Sequence, residues 1–348
     1  MEKPFLIAGP CAAESEEQII STARFLSEKI ENQGFFISYF RAGVWKPRSN
    51  PKTFKGVGEK AFPWLQRVEK EFGFKVCVEV ATPEHVACCE KYGIKTVWIG
   101  SRTSVNPFIV EELANAMKKK DFTVMVKNPI TPDLSLWKGA IERFLKKGIS
   151  NVIAIHRGVS DSNENIFRNA PVWEMPIELK VAYPNIPLFC DISHIAGHRK
   201  YLRQIAQIAL DLGFYGLMVE THVHPKTARS DAQQQITPEE FYQLLSELQF
   251  NHSPASPVEN LLQKERNMIE HIDTQISMLL YKRLEIIDRI AQIKKENNIP
   301  IVNTNQFNKI KELYMQQFTD DPLLSDFIQQ CLELLHYTSI QRQKRNNL

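Results

Sequence analysis

Two sets of side chains in this 348-residue chain have types and spacings that suit chemistry. The first is cationic: Arg41 with Lys46 and Arg48, then Arg102, Lys127 and Arg157, each following a short apolar run. One such cation is usually a solvated loop charge. Several, delivered from separate runs to one place, are hard to explain as packing. Like charges in one cavity repel, so a strongly anionic ligand must offset them. Arginine suits planar, bidentate recognition of phosphate and carboxylate. The second set is Cys11, His194, Glu220 and Asp231. Alone, a Cys is usually a small core residue and a His a satisfied polar one. Together, a thiolate, an imidazole and two carboxylates suit a borderline divalent metal ion such as Mn, Fe, Co or Zn. His198, His222 and His224 stand close by in sequence, and spacing does not exclude them. A cationic mouth beside a Lewis acid implies chemistry between an anion and a carbonyl. The metal polarises the carbonyl oxygen, and the cations hold the anionic partner.

The elements that must position these groups are short, β-rich apolar runs: Phe5–Ala8, Phe36–Phe40, Val76–Val80, Thr96–Ile99, Thr123–Val126, Asn151–Ile155, Pro187–Cys190 and Gly216–Val219. Amphipathic stretches between them predict helices, most clearly over 16–31, 84–91, 107–120, 137–147 and 199–212. A strand-then-helix pattern eight times over is the signature of a (β/α)8 TIM barrel, whose strands deliver catalytic residues from their C-terminal ends to one mouth. An open doubly wound sheet is the alternative, and no GxGxxG follows the first strand to favour it. Glu79 sits at the end of the third run, and Asp191 just after the seventh.

The length fits about two domains at roughly 150 residues each. A net charge of +3 argues against a nucleic-acid partner. No apolar run approaches the ~20 residues of a membrane span. The N-terminal sequence has no signal-peptide pattern, and the six Cys show no CxxC spacing, so a reduced, cytoplasmic protein is expected. All 14 Gly lie at or before Gly216 and all five Trp at or before Trp173. Residues 249–257 hold two Pro and two Ser and read as a linker. The expected division is therefore 1–248, linker 249–257, and 258–348.

From Val258 to about Asn298 there is no Gly or Pro, and Leu262, Ile269, Ile272, Ile276, Leu279, Ile286, Ile290 and Ile293 recur at heptad-like spacing. About 40 residues at ~1.5 Å each make a helix roughly 60 Å long, whose stripe calls for a second copy as cover. Further helices are expected over 304–317 and 323–343, making an all-α dimerising domain. A coiled-coil tail is the plain reading. Against it, Arg283 and Lys294 interrupt the seam on one helix face. Cations in an apolar seam are costly unless an anionic ligand compensates.

The motifs carry two resemblances. Ile7-Ala-Gly-Pro-Cys-Ala-Ala-Glu-Ser15, Arg41-Ala-Gly-Val-Trp-Lys-Pro-Arg48, Trp98-Ile-Gly-Ser-Arg102, Val126-Lys-Asn-Pro129, His156-Arg-Gly158, Asp191-Ile-Ser-His194 and Gly216-Leu-Met-Val-Glu-Thr-His222 occur in order. With Asp231, they resemble the type I-beta 3-deoxy-D-arabino-heptulosonate 7-phosphate (DAHP) synthases over 1–248. That resemblance implies an aldol-like condensation of phosphoenolpyruvate with erythrose 4-phosphate. It implies Cys11, His194, Glu220 and Asp231 as metal ligands, and Arg41, Arg102, Lys127 and Arg157 as phosphoenolpyruvate contacts. Lys46, Pro47, Arg48 and Ser49 match the erythrose 4-phosphate segment, with Lys46 near the aldehyde and Asp191 and Glu79 close to the reacting centre. Ser49 and Asn50 replace the common Thr-Ser. The related octulosonate 8-phosphate synthases, which use a longer phosphorylated sugar, are a weaker match.

The tail resembles the AroQ-type chorismate mutases. The pattern is Arg266-x-x-Ile269-x-x-x-Asp273, Leu279-Leu280-x-x-Arg283, Ile290-x-x-x-Lys294, Pro300 and Ser339-x-x-x-Gln343. It implies that Arg283, Lys294 and Gln343 of one chain and Arg266 of a second surround chorismate during its rearrangement to prephenate, in a homodimer or larger homo-oligomer. Asn303, Gln306 and Phe307 stand where that family carries an Asp and an Arg-Glu pair. A fusion of this kind also implies feedback, with chorismate or prephenate in the tail altering the barrel's activity.

Overall fold

The computed structural model describes residues 4–30, 35–47, 52–118, 121–160, 166–249, 257–301, 309, 312 and 321–346. Eight strands, β1 (Phe5–Gly9), β2 (Ile37–Arg41), β3 (Lys75–Val80), β4 (Thr96–Ile99), β5 (Thr123–Lys127), β6 (Val152–His156), β7 (Leu188–Asp191) and β8 (Gly216–Glu220), form a closed parallel barrel. Each pairs with its sequence neighbour, and β8 returns to β1 with Gly9 opposite Glu220. Around them run α1 (Glu16–Ile30), α2 (Phe62–Phe72), α3 (Pro83–Lys91), α4 (Ser101–Ser104), α5 (Pro107–Met117), α6 (Leu134–Lys146), α7 (Glu174–Ala182), α8 (Ile192–Ala196), α9 (Leu202–Asp211) and α10 (Pro238–Glu247).

Helix starts are set by local chemistry. Thr82, Asn106, Asp133 and Thr237 cap α3, α5, α6 and α10 with their side chains, and Pro opens α3, α5 and α10. The Asp133 cap explains why α6 begins at Leu134, earlier than its apolar periodicity alone suggests. Over the expected stretch 199–212 the chain first makes a 3-10 turn, Arg199–Tyr201, before α9.

Ile7, Cys77, Trp98, Met125, Ile155, Phe189 and Met218 fill the barrel interior. Strand side chains alternate with period two. Tyr39 packs against that core, so Arg41 also points inward, one layer higher. Lys127 stands likewise above Met125, Asp191 above Phe189 and Glu220 above Met218. These four charged residues are the last residues of their strands, rather than loop residues beyond them. The backbone ladder continues past the final apolar side chain because the mouth of the barrel receives the charge.

His156 ends β6 facing the helices. Its ring is fully buried among Trp137, Trp173 and Phe214, with Nε2 2.5 Å from the Pro171 carbonyl. Burial lowers its pKa to about 3.

The chain divides into two compact units, Met1–Asn267 and Met268–Leu348. Helix α11 (Pro257–Glu296) matches the expected long helix, and α12 (Pro322–Asn346) the last one. The helix expected over 304–317 falls almost wholly outside the described residues. In the second unit, Ile287 and Ala291 are buried, whereas Ile269, Ile272, Ile276, Leu279, Ile290 and Ile293 are exposed. No helix among the described residues is long and apolar enough to cross a membrane.

A depressed histidine pKa means that the unfolded chain takes up a proton near pH 6.5 that the fold refuses until about pH 3. This contribution to barrel stability is complete above pH 6.5 and declines as pH falls through that window. His156→Phe should flatten the pH dependence there, while lowering stability at pH 7 through loss of the Pro171 hydrogen bond. Urea unfolding across pH 4–7 checks both.

Candidate active sites

The barrel mouth is built around Asp191. Its Oδ2 lies 2.5 Å from Lys127 Nζ, 2.8 Å from His194 Nδ1 and 3.9 Å from Arg41 Nη1, while Oδ1 accepts from the His194 backbone N–H at 3.1 Å and caps α8. Burial alone would raise its pKa, but His194, Lys127 and Arg41 override it and hold the carboxyl well below its usual range. Arg41 Nη2 pairs with Glu220 Oε1 at 3.0 Å, and its guanidinium lies over the Trp98 ring at 5.0 Å. Lys127 Nζ lies 5.7 Å from the same ring. Part of the cationic charge expected from sequence is thus offset by the protein's own carboxylates.

The rest faces a cavity of about 420 Å³, lined by Lys46, Pro47, Glu79, Arg102, Lys127, Arg157, His194 and Asp231 among others. Burial pulls Arg157 down to about 10, with Arg168 and Arg102 crowding it against the pull of Asp191. Burial also lowers Lys127, despite Asp191. Desolvated cations beside other cations make a place that wants an anion. Arg102 projects from α4 and reaches the Pro47 carbonyl at 3.4 Å. Arg48 and Ser49 lie outside the described residues. The rival His198 flanks an adjoining groove that shares Arg168 and Asp231 with the cavity, while His222 lies 4.0 Å from Glu14, outside the cavity lining.

The four expected metal donors gather on one side of the mouth, because β1 and β8 adjoin and Cys11 follows β1. Cys11 Sγ lies 3.2 Å from Asp231 Oδ2, and His194 Nε2 lies 3.7 Å from Glu220 Oε1. Among the described residues, no three of these side chains are placed so as to hold a metal ion together. Lys46 Nζ, 3.1 Å from Cys11 Sγ, stands beside the thiol as a cation. Among the described residues, buried Glu220 Oε1 and His194 Nδ1 are partnered by ion pairs, to Arg41 and Asp191 respectively. Burial, reinforced by Glu220 and Asp231 against Lys46, pushes the Cys11 thiol up to about 12. It is a poor thiolate unless a stronger cation binds, and the donor chemistry fits a divalent ion in that role.

Several contributors were given no role from sequence: Asn128 and Ser193 lie inside the quoted motifs, and Arg168 lies outside them. Asn128 Oδ1 accepts from the Arg157 backbone N–H at 2.7 Å, and Ser193 Oγ from that of Glu220 at 2.9 Å. Arg168 pairs with Asp231 at 2.8 Å. Gln235, in the run Gln233-Gln234-Gln235 just after Asp231, accepts through Oε1 from the Cys11 backbone N–H at 3.0 Å.

In the second unit, Arg283 Nη1 donates to Ser339 Oγ at 2.7 Å and to the Leu335 carbonyl at 3.2 Å. Arg342 grips Asp288 through two 2.8 Å bonds. These pairings advance together along both helices, so α11 and α12 run parallel. Lys294 Nζ donates to the Ile301 carbonyl at 2.5 Å. Gln343 is buried, and its Oε1 has no hydrogen-bond partner among the described residues. Arg266 is exposed.

The fold is a (β/α)8 barrel whose mouth gathers desolvated cations suited to an anion, and comparison with known proteins gives the family. The DAHP synthetase I family model matches residues 2–252, and the chorismate mutase type II model matches residues 265–344. The chain belongs to the DAHP synthetase I family and carries a chorismate mutase type II domain C-terminal to its barrel in sequence. It is a bifunctional enzyme of aromatic biosynthesis. Phospho-2-dehydro-3-deoxyheptonate aldolase of Thermotoga maritima is 27% identical over 243 residues, spanning 70% of this chain and 68% of that protein. The crystal structure of a DAHP synthase from the same organism matches with a TM-score of 0.62 at 26% identity, covering 70% of this chain and 68% of that one. A 2-dehydro-3-deoxyphosphooctonate aldolase of Helicobacter pylori is 28% identical over 270 residues, spanning 71% of this chain and 94% of its own.

Arg41→Met should leave Glu220 and Asp191 short of a buried counter-charge, at a cost of about 3–5 kcal/mol. The urea midpoint of the barrel measures it. Arg41→Lys should recover only part, because an ammonium cannot serve both carboxylates through a planar fork.

Proposed function

We propose that the barrel condenses phosphoenolpyruvate with erythrose 4-phosphate, giving DAHP and phosphate, and that the helical domain rearranges chorismate to prephenate. The barrel reading is carried by one observation: Lys127 and Arg157, both desolvated, face a cavity edged by Cys11's neighbours Lys46 and Asp231. Arg41, Arg102, Lys127 and Arg157 are assigned to phosphoenolpyruvate. Lys46 and Pro47, with Arg48 and Ser49, are assigned to the sugar phosphate. Cys11, His194, Glu220 and Asp231 would hold a divalent metal (Mn, Fe, Co or Zn), which when bound supplies a Lewis acid for the aldehyde. The nucleophilic enol carbon of phosphoenolpyruvate bonds to that aldehyde carbon, and water replaces the phosphate. Lys46 holds a proton at the aldehyde oxygen. Asp191 keeps Lys127 charged and oriented, so that the phosphoenolpyruvate carboxylate and phosphate stay in place.

Relatives at similar identity include octulosonate 8-phosphate synthases, so the barrel alone does not choose the acceptor. The mutase domain favours the four-carbon sugar, because it belongs to the same biosynthetic route. For that domain, Arg283, Lys294 and Gln343, with Arg266 of a second copy, are the proposed chorismate contacts. No covalent help is needed; the site holds a compact conformer and stabilises charge on the ether oxygen. The exposed apolar stripe of α11 supports a homodimer or larger homo-oligomer, and six free cysteines suit a cytoplasmic setting. The proposed division remains 1–248, 249–257 and 258–348. Prephenate or chorismate in the helical domain would then modulate the synthase.

Two measurements test this. EDTA should abolish synthase activity with erythrose 4-phosphate and leave chorismate consumption unchanged; activity that survives chelation, or a preference for arabinose 5-phosphate, overturns the barrel assignment. Arg283→Ala should cut the mutase kcat/KM by about 10²–10³-fold and remove any effect of prephenate on the synthase. Equal chorismate consumption in both proteins would reduce the tail to a dimerising or sensing module.

A further inference from the structure

Arg168 and Asn169 lie on the loop between β6 and α7, outside the recognisable motifs, yet they touch both halves of the barrel site. Arg168 Nη1 donates to Asp231 Oδ1 and to Gln234 Oε1, each at 2.8 Å. Gln234 Nε2 in turn donates to Glu220 Oε2 at 2.7 Å. Asn169 Nδ2 donates to the His194 backbone carbonyl at 2.6 Å, and its Oδ1 accepts from Arg157 Nη1 at 2.6 Å. Two consecutive residues therefore contact two of the proposed metal-donor residues directly, Asp231 and His194, a third, Glu220, through Gln234, and one proposed substrate cation, Arg157.

The fold makes room for this pair. A Cβ on Gly197 would fall 2.3 Å from Arg168 Cβ, and one on Gly158 would fall 2.9 Å from Asn169 Cβ. Both glycines have positive φ, 67° and 74°, so the turns that bring them against the pair suit no other residue. The backbone N–H groups of Arg168 and Asn169 donate to the carbonyls of Ala196 and Ile195, at the end of α8. The Arg168 side chain is 46% exposed, and so open an ion pair contributes little to stability. Its value lies in orienting Asp231 and Gln234 from one guanidinium fork.

Resting on the reading of Cys11, His194, Glu220 and Asp231 as metal donors, we propose that Arg168 and Asn169 are positioning residues that hold the metal-donor set in register with Arg157. Outer partners of this kind typically govern metal affinity by about 10–100-fold.

The test uses the full-length, metal-free protein titrated with Co(II), following thiolate-to-Co(II) charge-transfer absorption, alongside KM for phosphoenolpyruvate. Arg168→Met should weaken Co(II) binding by about 10–100-fold and alter the band, with KM moved less. Asn169→Ala should raise KM as well as weaken Co(II) binding. Arg168→Lys, which keeps the charge without the fork, should recover only part of the affinity. Wild-type Co(II) affinity and spectrum in Arg168→Met, or full recovery in Arg168→Lys, overturns the proposal. A wild-type protein with no thiolate band, or a band that persists in Cys11→Ala, fails earlier and overturns the metal reading itself.

Discussion

Four buried charges, Arg41, Lys127, Asp191 and Glu220, hold one another at the top of the barrel, and the rest of the site hangs from them. None is stable there alone, since a desolvated ion costs several kcal/mol unless it is paired. They close strands β2, β5, β7 and β8, so one electrostatic requirement ties opposite sides of the cylinder. Asp191 takes the central part. The same carboxylate caps α8, and that cap fixes where the His194 side chain begins. Position and charge state are set together, because the groups that orient Asp191 also keep it ionised.

The two units solve different burial problems. In the barrel, inward and outward strand faces are both covered, by the interior layer and by the surrounding helices, so its charges can be confined to one rim. Among the described residues of the helical unit, only Ile287, Ala291, Ser339 and Gln343 are buried. Its cations sit among exposed apolar side chains, an arrangement that makes physical sense once further chain covers the stripe.

The barrel was legible in the sequence because its strands are continuous apolar runs separated by amphipathic stretches, a signal that survives without tertiary information. Cys11, Arg41, Asp191 and Glu220 were legible because chemical types stand out at strand ends. The apolar criterion stopped one residue short at Arg41, Lys127, Asp191 and Glu220, since it has no term for a charge that faces a polar mouth. Helix α8 spans only Ile192–Ala196, too short for periodicity to register, and Pro176 interrupts the pattern of α7. Arg168 and Asn169 were invisible for another reason. What sets them apart is which partners the fold brings to them, 12 and 25 residues away for Asn169 and 63 for Arg168, and no spacing rule encodes such contacts.

Trp98 has a consequence of its own. Its indole forms part of the cavity wall with the Arg41 guanidinium 5.0 Å and the Lys127 ammonium 5.7 Å from the ring. An incoming anion that neutralises either cation changes the electric field across that chromophore. The wall that positions the cations therefore also senses their charge, because the indole face and both positive groups share one desolvated space.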